Sequence, residues 1–367
     1  MKAKYCRWGI LGTAGIARKN WQAIHDAGNA VVAAVASRDT RRAAKFAAEC
    51  QKLLPHPTAP EALGSYEALV AHPGVDAIYL PIPTGLRKEW AIRAASAGKH
   101  VMVEKPVGIN AAETAEIIAA CRLNGVQFMD GTMFAHSRRL KELQKSIGRK
   151  SIGSIRRVAT QFSFAGDKTF LRTNIRTHSG LEPLGCLGDL GWYCVYFTLQ
   201  VMGGRMPLQA TGRIHVEAAQ SKALQPVPLE FSGELLYPDG VSATYFCSFI
   251  AENAEWAVVS GTAGSLHLED FVLPFAGQEP SFNVLKTSFG SKGLRSDMKA
   301  SRRFFKVAEP ASNAPGSQES NLFRTMSQLV LTGKLDAQWP EISLKTQQLL
   351  DACLKSAHQG SAPVSVA

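Results

Sequence analysis

The sequence predicts two domains: a doubly wound parallel α/β sheet (Rossmann type) over residues 1–130, then an α+β domain with an open, mainly antiparallel sheet over residues 131–367. Three observations predict it. From Arg7 to about Asp130, short apolar strands alternate with helical segments at the spacing of consecutive strand–helix units. After Gly131 the rhythm changes to longer alternating segments, the pattern of strands covered on one face. And 367 residues exceed what one ordinary hydrophobic core accommodates.

In the first domain, Trp8-Gly9-Ile10-Leu11-Gly12 is a strand and its turn, and Ala14 to Ala27 the helix that follows. Val31 to Ser37 is a second strand, and Thr40 to Cys50 a helix dense in alanine and arginine. A proline-rich connector, Pro55-His56-Pro57 with Pro60, reaches the short segment Tyr66 to Ala71. Val75 to Pro81 is the third strand, Lys88 to Ala97 a helix and His100 to Val103 the fourth strand. Ala111 to Asn124 is a helix and Gln127 to Met129 a short fifth strand. The second domain places strands at Ser154 to Ser163, Gln209 to Val216, Leu229 to Tyr237, Val241 to Phe249, Trp256 to Ser260 and Ser265 to Leu268. Tyr237-Pro238-Asp239-Gly240-Val241 carries hairpin turn chemistry. Ala276 to Ser320, rich in Gly, Ser and Pro, reads as irregular and partly mobile. Helices close the chain near Ser320 to Thr332 and from Ser343 to His358. For the last, Ser343 is the expected N-cap, Leu350, Cys353, Leu354 and Ala357 the apolar stripe, and Gly360 the stop.

Composition excludes several classes. Hydrophobic residues at 46% and charged residues at 19% describe a globular chain. No apolar run approaches the roughly 20 residues that span a bilayer. The N-terminus, Met1-Lys2-Ala3-Lys4-Tyr5-Cys6-Arg7-Trp8, runs straight into a strand without a signal peptide's apolar core, so a cytoplasmic protein free of the membrane is expected. Seven scattered cysteines contain no C-x-x-C pair, which supports neither a disulfide framework nor a metal site; Cys186 and Cys194 read as packing residues. The net charge of +11 would suit phosphates or nucleic acid. However, Arg41-Arg42, Arg138-Arg139, Arg156-Arg157 and Arg302-Arg303 lie in separate elements with no nucleic-acid module. They read as solvated surface, and nucleic acid is not an expected partner.

Chemistry enters at the first turn. In Gly9-Ile10-Leu11-Gly12-Thr13-Ala14-Gly15-Ile16-Ala17, Gly12 makes the tight turn of a dinucleotide fingerprint, with Ala14 and Ala17 at its second and third glycine positions. A pyrophosphate needs bare backbone N–H groups at a helix N-terminus, so Thr13, Ala14, Gly15 and Ile16 are expected against it; Ala14 adds a methyl group there. The second strand ends Ala36-Ser37-Arg38-Asp39-Thr40-Arg41-Arg42. NAD enzymes place a carboxylate here for the ribose 2′-hydroxyl. Ser37, Arg38 and Arg42 suit a 2′-phosphate instead, which favours NADP(H). NAD stands as the alternative through Asp39, unless that residue caps the next helix.

Gly98-Lys99-His100-Val101-Met102-Val103-Glu104-Lys105-Pro106 ends a buried strand in an acid, a lysine and a proline, and so delivers an amine to the ligand-binding end of the sheet. Such a lysine needs a partner or a chemical use; a solvated turn is the plain alternative. In Leu184-Gly185-Cys186-Leu187-Gly188-Asp189-Leu190-Gly191-Trp192-Tyr193-Cys194, glycines lead into a helix with Asp189 and Tyr193 on one face. A phenol serves as general acid for a carbonyl becoming an alcohol if a cation lowers its pKa from about 10, and Lys105 is that cation. On spacing alone, Tyr193 also reads as an amphipathic residue at a domain interface.

With these motifs in order, the chain resembles the glucose–fructose oxidoreductase/inositol dehydrogenase/MocA (Gfo/Idh/MocA) family over nearly its whole length. Gly12, Glu104-Lys105-Pro106, the Gly-x-x-Gly-Asp-x-Gly-x-Tyr segment, Asp130-Gly131-Thr132-Met133-Phe134 and Trp339-Pro340 carry the resemblance. It implies a Rossmann domain joined to an open antiparallel sheet, a nicotinamide nucleotide, and hydride transfer to or from a sugar, a polyol or a related carbonyl compound. By the same resemblance Lys105 is the catalytic lysine, with Glu104 and Pro106 holding its loop through a cis Lys–Pro bond. Tyr193 marks the tyrosine-type branch, Asp189 lines the substrate pocket, and Pro81 and Thr84 belong to the loop by the nicotinamide ribose. Arg176 and His178 are expected to orient further substrate hydroxyls. Relatives associate through the exposed face of the C-terminal sheet, which implies a homo-oligomer. The chain departs from the family at Ala14, at Gly85 and Arg87, where relatives often carry asparagine and histidine, and at Leu184 and Cys186, which interrupt a glycine run. A non-catalytic NADP(H) redox sensor is the competing expectation, although a sensor needs neither Lys105 nor Tyr193.

Overall fold

The structure, a computed structural model, describes residues 5–366; Met1–Lys4, part of the N-terminal reading above, and Ala367 lie outside the described residues. The first layer runs β1 (Cys6–Leu11), α1 (Gly15–Asp26), β2 (Ala30–Ala36), α2 (Thr40–Leu53), β3 (Glu61–Leu63), α3 (Tyr66–Val70), β4 (Ala77–Leu80), α4 (Thr84–Ser96), β5 (His100–Val103), α5 (Ala111–Leu123) and β6 (Phe128–Asp130). Its six strands form one parallel sheet in the order β3-β2-β1-β4-β5-β6. The order reverses between β1 and β4, where an open α/β sheet leaves a crevice for a ligand. Every residue of β4 is buried, as are Val101, Met102 and Val103 of β5, which is why these strands read as unbroken apolar runs.

The second layer contains α6 (Arg138–Gly148), β7 (Ile155–Ser163), α7 (Lys168–Thr173), α8 (Trp192–Val201), β8 (Gln209–Ala218), β9 (Val227–Leu236), β10 (Ser242–Ser248), β11 (Ala254–Gly261), β12 (Gly264–Leu268), β13 (Ser281–Lys292), β14 (Arg295–Lys306), α9 (Gln318–Thr332), α10 (Gln338–His358) and β15 (Val364–Ser365). The nine strands lie in the order β14-β13-β12-β11-β7-β10-β9-β8-β15, antiparallel apart from the β7/β10 pair. Val158, Tyr245, Ala257, Val259, Leu266 and Val284 belong to its buried face. Ala159, Thr244, Phe246, Val258 and Ser260 on the opposite face stay partly exposed.

Four sequence expectations change. The supposedly irregular stretch after Ala276 contains the β13–β14 hairpin. Its inner half buries Phe282 and Val284, but Lys286 to Arg303 are exposed and alternate little in hydropathy, which hid the strands. The short edge strand β3, half-exposed, was not foreseen. The last helix begins at Gln338 rather than Ser343, since Pro340 in its first turn forfeits no helical hydrogen bond. Ser343 is internal, its hydroxyl shared between the Trp339 carbonyl (2.8 Å) and the carboxylate of buried Asp130. Finally, Arg139 is not solvated surface: it is buried and paired with Asp270. All seven cysteines are buried and unbridged.

The C-terminal third also reaches back across the molecule. α9 packs on α1 and β1: Trp8 Nε1 donates to Ser327 Oγ (3.0 Å), and the Trp8 and Phe323 rings meet edge to face at 5.1 Å. The first sheet is thus completed by residues more than 300 positions away.

Candidate active site

The dinucleotide turn has the shape its function requires. Gly12 adopts φ +113°, a conformation that favours glycine, and a Cβ there would lie 3.1 Å from Ile82 Cγ2. Ala14 is the N-cap of α1 and supplies no side-chain acceptor, so the first N–H groups of the helix stay free for an anion, and Gly15 faces open space. Along the second strand, Ser37 is buried while Arg38 and Arg42 are exposed. Asp39 caps α2 by accepting from Arg41 N (2.8 Å), which engages the one carboxylate able to take a ribose hydroxyl there.

The chemical centre forms where three loops converge. The Lys105–Pro106 bond is cis. A π-helical turn, Leu187–Gly191, leads into α8, and Gly188 lets it approach: a Cβ there would stand 2.7 Å from Leu184 Cβ and 3.2 Å from Pro106 Cγ. Lys105 Nζ donates to Asp189 Oδ1 (2.5 Å) and to the Asp189 carbonyl (2.9 Å). Arg176 Nε lies 2.8 Å from the other carboxylate oxygen. Burial works to raise the Asp189 carboxyl, but the two cations hold it below the usual carboxylate range; Asp189 in turn raises the Arg176 guanidinium.

Tyr193 lies one turn beyond Asp189, with Lys105 Nζ 4.7 Å from its ring centroid and its hydroxyl 3.8 Å from Met133 Sδ. Here the structure corrects the expectation that Lys105 depresses the phenol. Burial raises its pKa well above 10, Glu104 and Asp189 add to the rise, and Arg176 opposes them without prevailing. The reason is geometric: Lys105 covers the ring face and gives two of its three N–H groups to Asp189. Behind it, Glu104 is buried and accepts from Tyr79 Oη (2.5 Å). Asn20 Nδ2 in turn donates to Tyr79 Oη (2.6 Å).

The departures at Gly85 and Arg87 form a joint. Gly85 N donates to Leu181 O (3.1 Å). The buried Arg87 guanidinium donates to Ile82 O (2.7 Å), to Thr84 Oγ1 (2.8 Å) and to Pro106 O, and lies 3.8 Å from Glu182. Glu182 accepts both from Thr84 N (3.1 Å) and from its hydroxyl. The loop after β4, the lysine loop and the segment carrying Arg176 are therefore tied together.

Two cavities meet here. The smaller, about 320 Å³, is lined by the expected Ala14, Gly15, Ile16, Pro81, Glu104 and Lys105. Gly12, Thr13, Ser37, Arg38 and Arg42 lie outside it, and Thr84 is buried against Glu182. The larger, about 970 Å³, includes Phe162, Phe164, Trp256, Glu255 and Phe275 among its walls. Lys105, Arg176, Asp189 and Tyr193 line both. His178 lines neither; its Nδ1 accepts from Gly180 N (3.2 Å) in a local turn. Sequence reasoning missed Lys19, Asn20, Glu182, Trp256 and Glu319. Lys19 and Asn20 stand one helical turn past Gly15 and could have been found by that spacing; the others carried no local signal.

A helix N-terminus opening on a parallel-sheet crevice, beside a lysine–aspartate–tyrosine group, defines a nicotinamide-dinucleotide oxidoreductase. Residues 6–132 match the oxidoreductase family with an NAD-binding Rossmann fold, and residues 140–267 the GFO/IDH/MocA C-terminal domain. The chain belongs to this family. It is 30% identical to the D-xylose 1-dehydrogenase (NADP(+)) 2 of Haloferax volcanii, over 97% of this chain and 98% of that protein. It is 32% identical to the trans-1,2-dihydrobenzene-1,2-diol dehydrogenase of Mus musculus, over 73% of this chain and 76% of that one. The crystal structure of a 3-ketoreductase from Actinomadura kijaniata with NADP and TDP-benzene shares the fold, with a TM-score of 0.77, 24% identity and coverage of 96% and 97%.

Proposed function

We propose that the protein is an NADP-dependent oxidoreductase acting on a hydroxyl or carbonyl carbon of a sugar, a polyol or a related small molecule. The observation that carries this reading is the placing of Lys105, Asp189, Arg176 and Tyr193 on the wall common to both cavities. A bound nicotinamide supplies or takes the hydride. Tyr193, kept protonated by burial, donates the proton to the forming alkoxide when a carbonyl is reduced. Lys105 holds the reacting oxygen, and Asp189 keeps that ammonium in place. Arg176 orients a neighbouring hydroxyl; His178 is withdrawn from that role by its position.

Ser37, Arg38 and Arg42 favour the 2′-phosphate, with Asp39 engaged at its cap. The larger cavity sits at the upper end of the roughly 300–1,000 Å³ common for ligand clefts. Its aromatic walls suit the apolar face of a sugar ring or a cyclic diol. The relatives' names, a xylose dehydrogenase and dihydrodiol dehydrogenases, agree with that breadth. The open face of the second sheet supports association of copies there, and the enzyme is assigned to the cytoplasm.

The test is a parallel fluorescence titration with NADPH and NADH, followed by turnover assays with D-xylose and a trans-dihydrodiol. NADPH should bind at least about ten-fold more tightly, the worth of roughly one good charge-assisted contact. Preference for NADH would overturn the 2′-phosphate reading and release Asp39 to the ribose.

A further inference from the structure

Glu319 is the one carboxylate of α9 that enters the smaller cavity, and it does so half-satisfied. It sits in the first turn of the helix, 2% exposed. One oxygen, Oε1, takes the Lys19 ammonium at 2.9 Å. The other, Oε2, is buried with no hydrogen-bond partner. A buried carboxyl oxygen without a donor is costly, and a ligand or an ordered water normally supplies the missing hydrogen bond.

The cavity says which ligand group arrives there. A dinucleotide anchored at Gly12–Gly15 must place its reactive ring against Lys105 and Tyr193, which brings that ring alongside Ile16, Lys19 and Asn20 on α1. The loop at Pro81–Ile82, on the β4 side, is where the family resemblance puts the ribose, and it lines the same cavity. Glu319 and Lys19 face the cavity from α9 and α1. A carboxylate oxygen only accepts and an ammonium only donates. Side by side, they complement a primary amide, which has an N–H₂ donor and a C=O acceptor. Resting on the reading of a nicotinamide cofactor, we propose that Glu319 Oε2 accepts a hydrogen bond from the carboxamide N–H₂ of the nicotinamide, while Lys19 donates to its carbonyl. This makes Glu319, contributed by the far end of the chain, a cofactor-binding residue that identifies the carboxamide and sets which way the ring is turned.

The experiment compares NADP⁺ with its 3-acetylpyridine analogue, in which a methyl group replaces the amide nitrogen. Dissociation constants are measured by tryptophan-fluorescence quenching for the unaltered protein, Glu319→Gln, Glu319→Ala and Lys19→Met. The unaltered protein should prefer NADP⁺ by about ten-fold or more. Glu319→Ala should bring that ratio close to one, chiefly by weakening NADP⁺. Glu319→Gln, whose amide oxygen still accepts, should retain part of the preference, and Lys19→Met should keep it, since the accepting oxygen remains. Thermal melts of the nucleotide-free proteins separate loss of fold from loss of contact, and Glu319→Gln preserves the shape if Glu319→Ala does not fold. An unchanged ratio in both Glu319 variants, or no preference in the unaltered protein, overturns the assignment while leaving the cofactor reading intact. Failure of the unaltered protein to bind either nucleotide overturns the cofactor reading and this one with it.

Discussion

The two cavities meet at Lys105, Arg176, Asp189 and Tyr193, yet their other walls are built differently. Around the smaller, side chains are fixed by buried polar contacts: Arg87 on three acceptors, Glu104 on Tyr79, Glu182 on Thr84. Around the larger, aromatic and aliphatic side chains stand among polar ones such as Asn253, Glu255 and His267, and Leu273 and Phe275 are each 43% exposed. Directional contacts specify one ligand; apolar area accepts many of suitable shape. The contrast suits a dinucleotide held in one pose and a substrate chosen by shape.

The largest effect should come from the shared wall. Tyr193→Phe should lower turnover about 10²–10⁴-fold, the usual contribution of a placed general acid, with NADPH affinity nearly unchanged. Steady-state kinetics and a binding titration on the same preparation check both halves. Retained turnover would move the proton donor to Lys105, whose ammonium already touches Asp189.

Next comes the joint at Arg87. Arg87→Ala leaves three acceptors in a buried place, so unfolding stability should drop by about 2–4 kcal/mol and NADPH should bind more weakly. Arg87→Lys should recover little, because one ammonium cannot reproduce the planar fork that reaches Ile82, Thr84 and Pro106 together. Trp256→Ala in the other cavity is the counterpart: urea denaturation should change less, while KM for substrate rises. Equal losses of stability at the two positions would erase the distinction between a tied wall and a loose one.

What could be read in advance follows the same division. The strand His100–Val103 was placed to the residue because a buried parallel strand is an unbroken apolar run bounded by polar residues. Asp189 and Tyr193 are legible as a pair because their spacing is local, and Lys105 because it ends a buried strand; their meeting, across 84 positions, is not. The β13–β14 hairpin was not, since its outer half packs on nothing and so leaves no period in the sequence. Ser343 misled because a serine before an apolar stripe resembles a cap, when its partner is Asp130, 213 positions earlier. Arg87 reads only as a departure from the family for the same reason: its acceptors include a carbonyl on a separate loop, that of Pro106. Glu319 had no signal at all, because only tertiary packing of α9 brings it to α1.

The smallest effect tests whether the larger cavity holds a strained charge. Glu255 lines it and accepts from Leu273 N (2.8 Å), yet burial pushes its carboxyl from 4.5 up to about 7. Below pH 4.5 the folded and unfolded chains both hold this proton, and Glu255 contributes no pH dependence. Between 4.5 and about 7 the folded state keeps a proton that the unfolded state has released, so stability falls as pH rises. Above that range both are ionised and the cost is complete. Glu255→Gln removes this slope and keeps the acceptor for Leu273. The variant should gain about 1–2 kcal/mol over the unaltered protein at pH 8 relative to pH 5, solvent screening having reduced the full value. Urea midpoints at the two pH values measure it. A gain would mean that the wall of the larger cavity tolerates a destabilised acid that a bound substrate's hydroxyl can relieve. No gain would mean that water reaches Glu255 freely, and that the looseness of this wall extends to its polar edge.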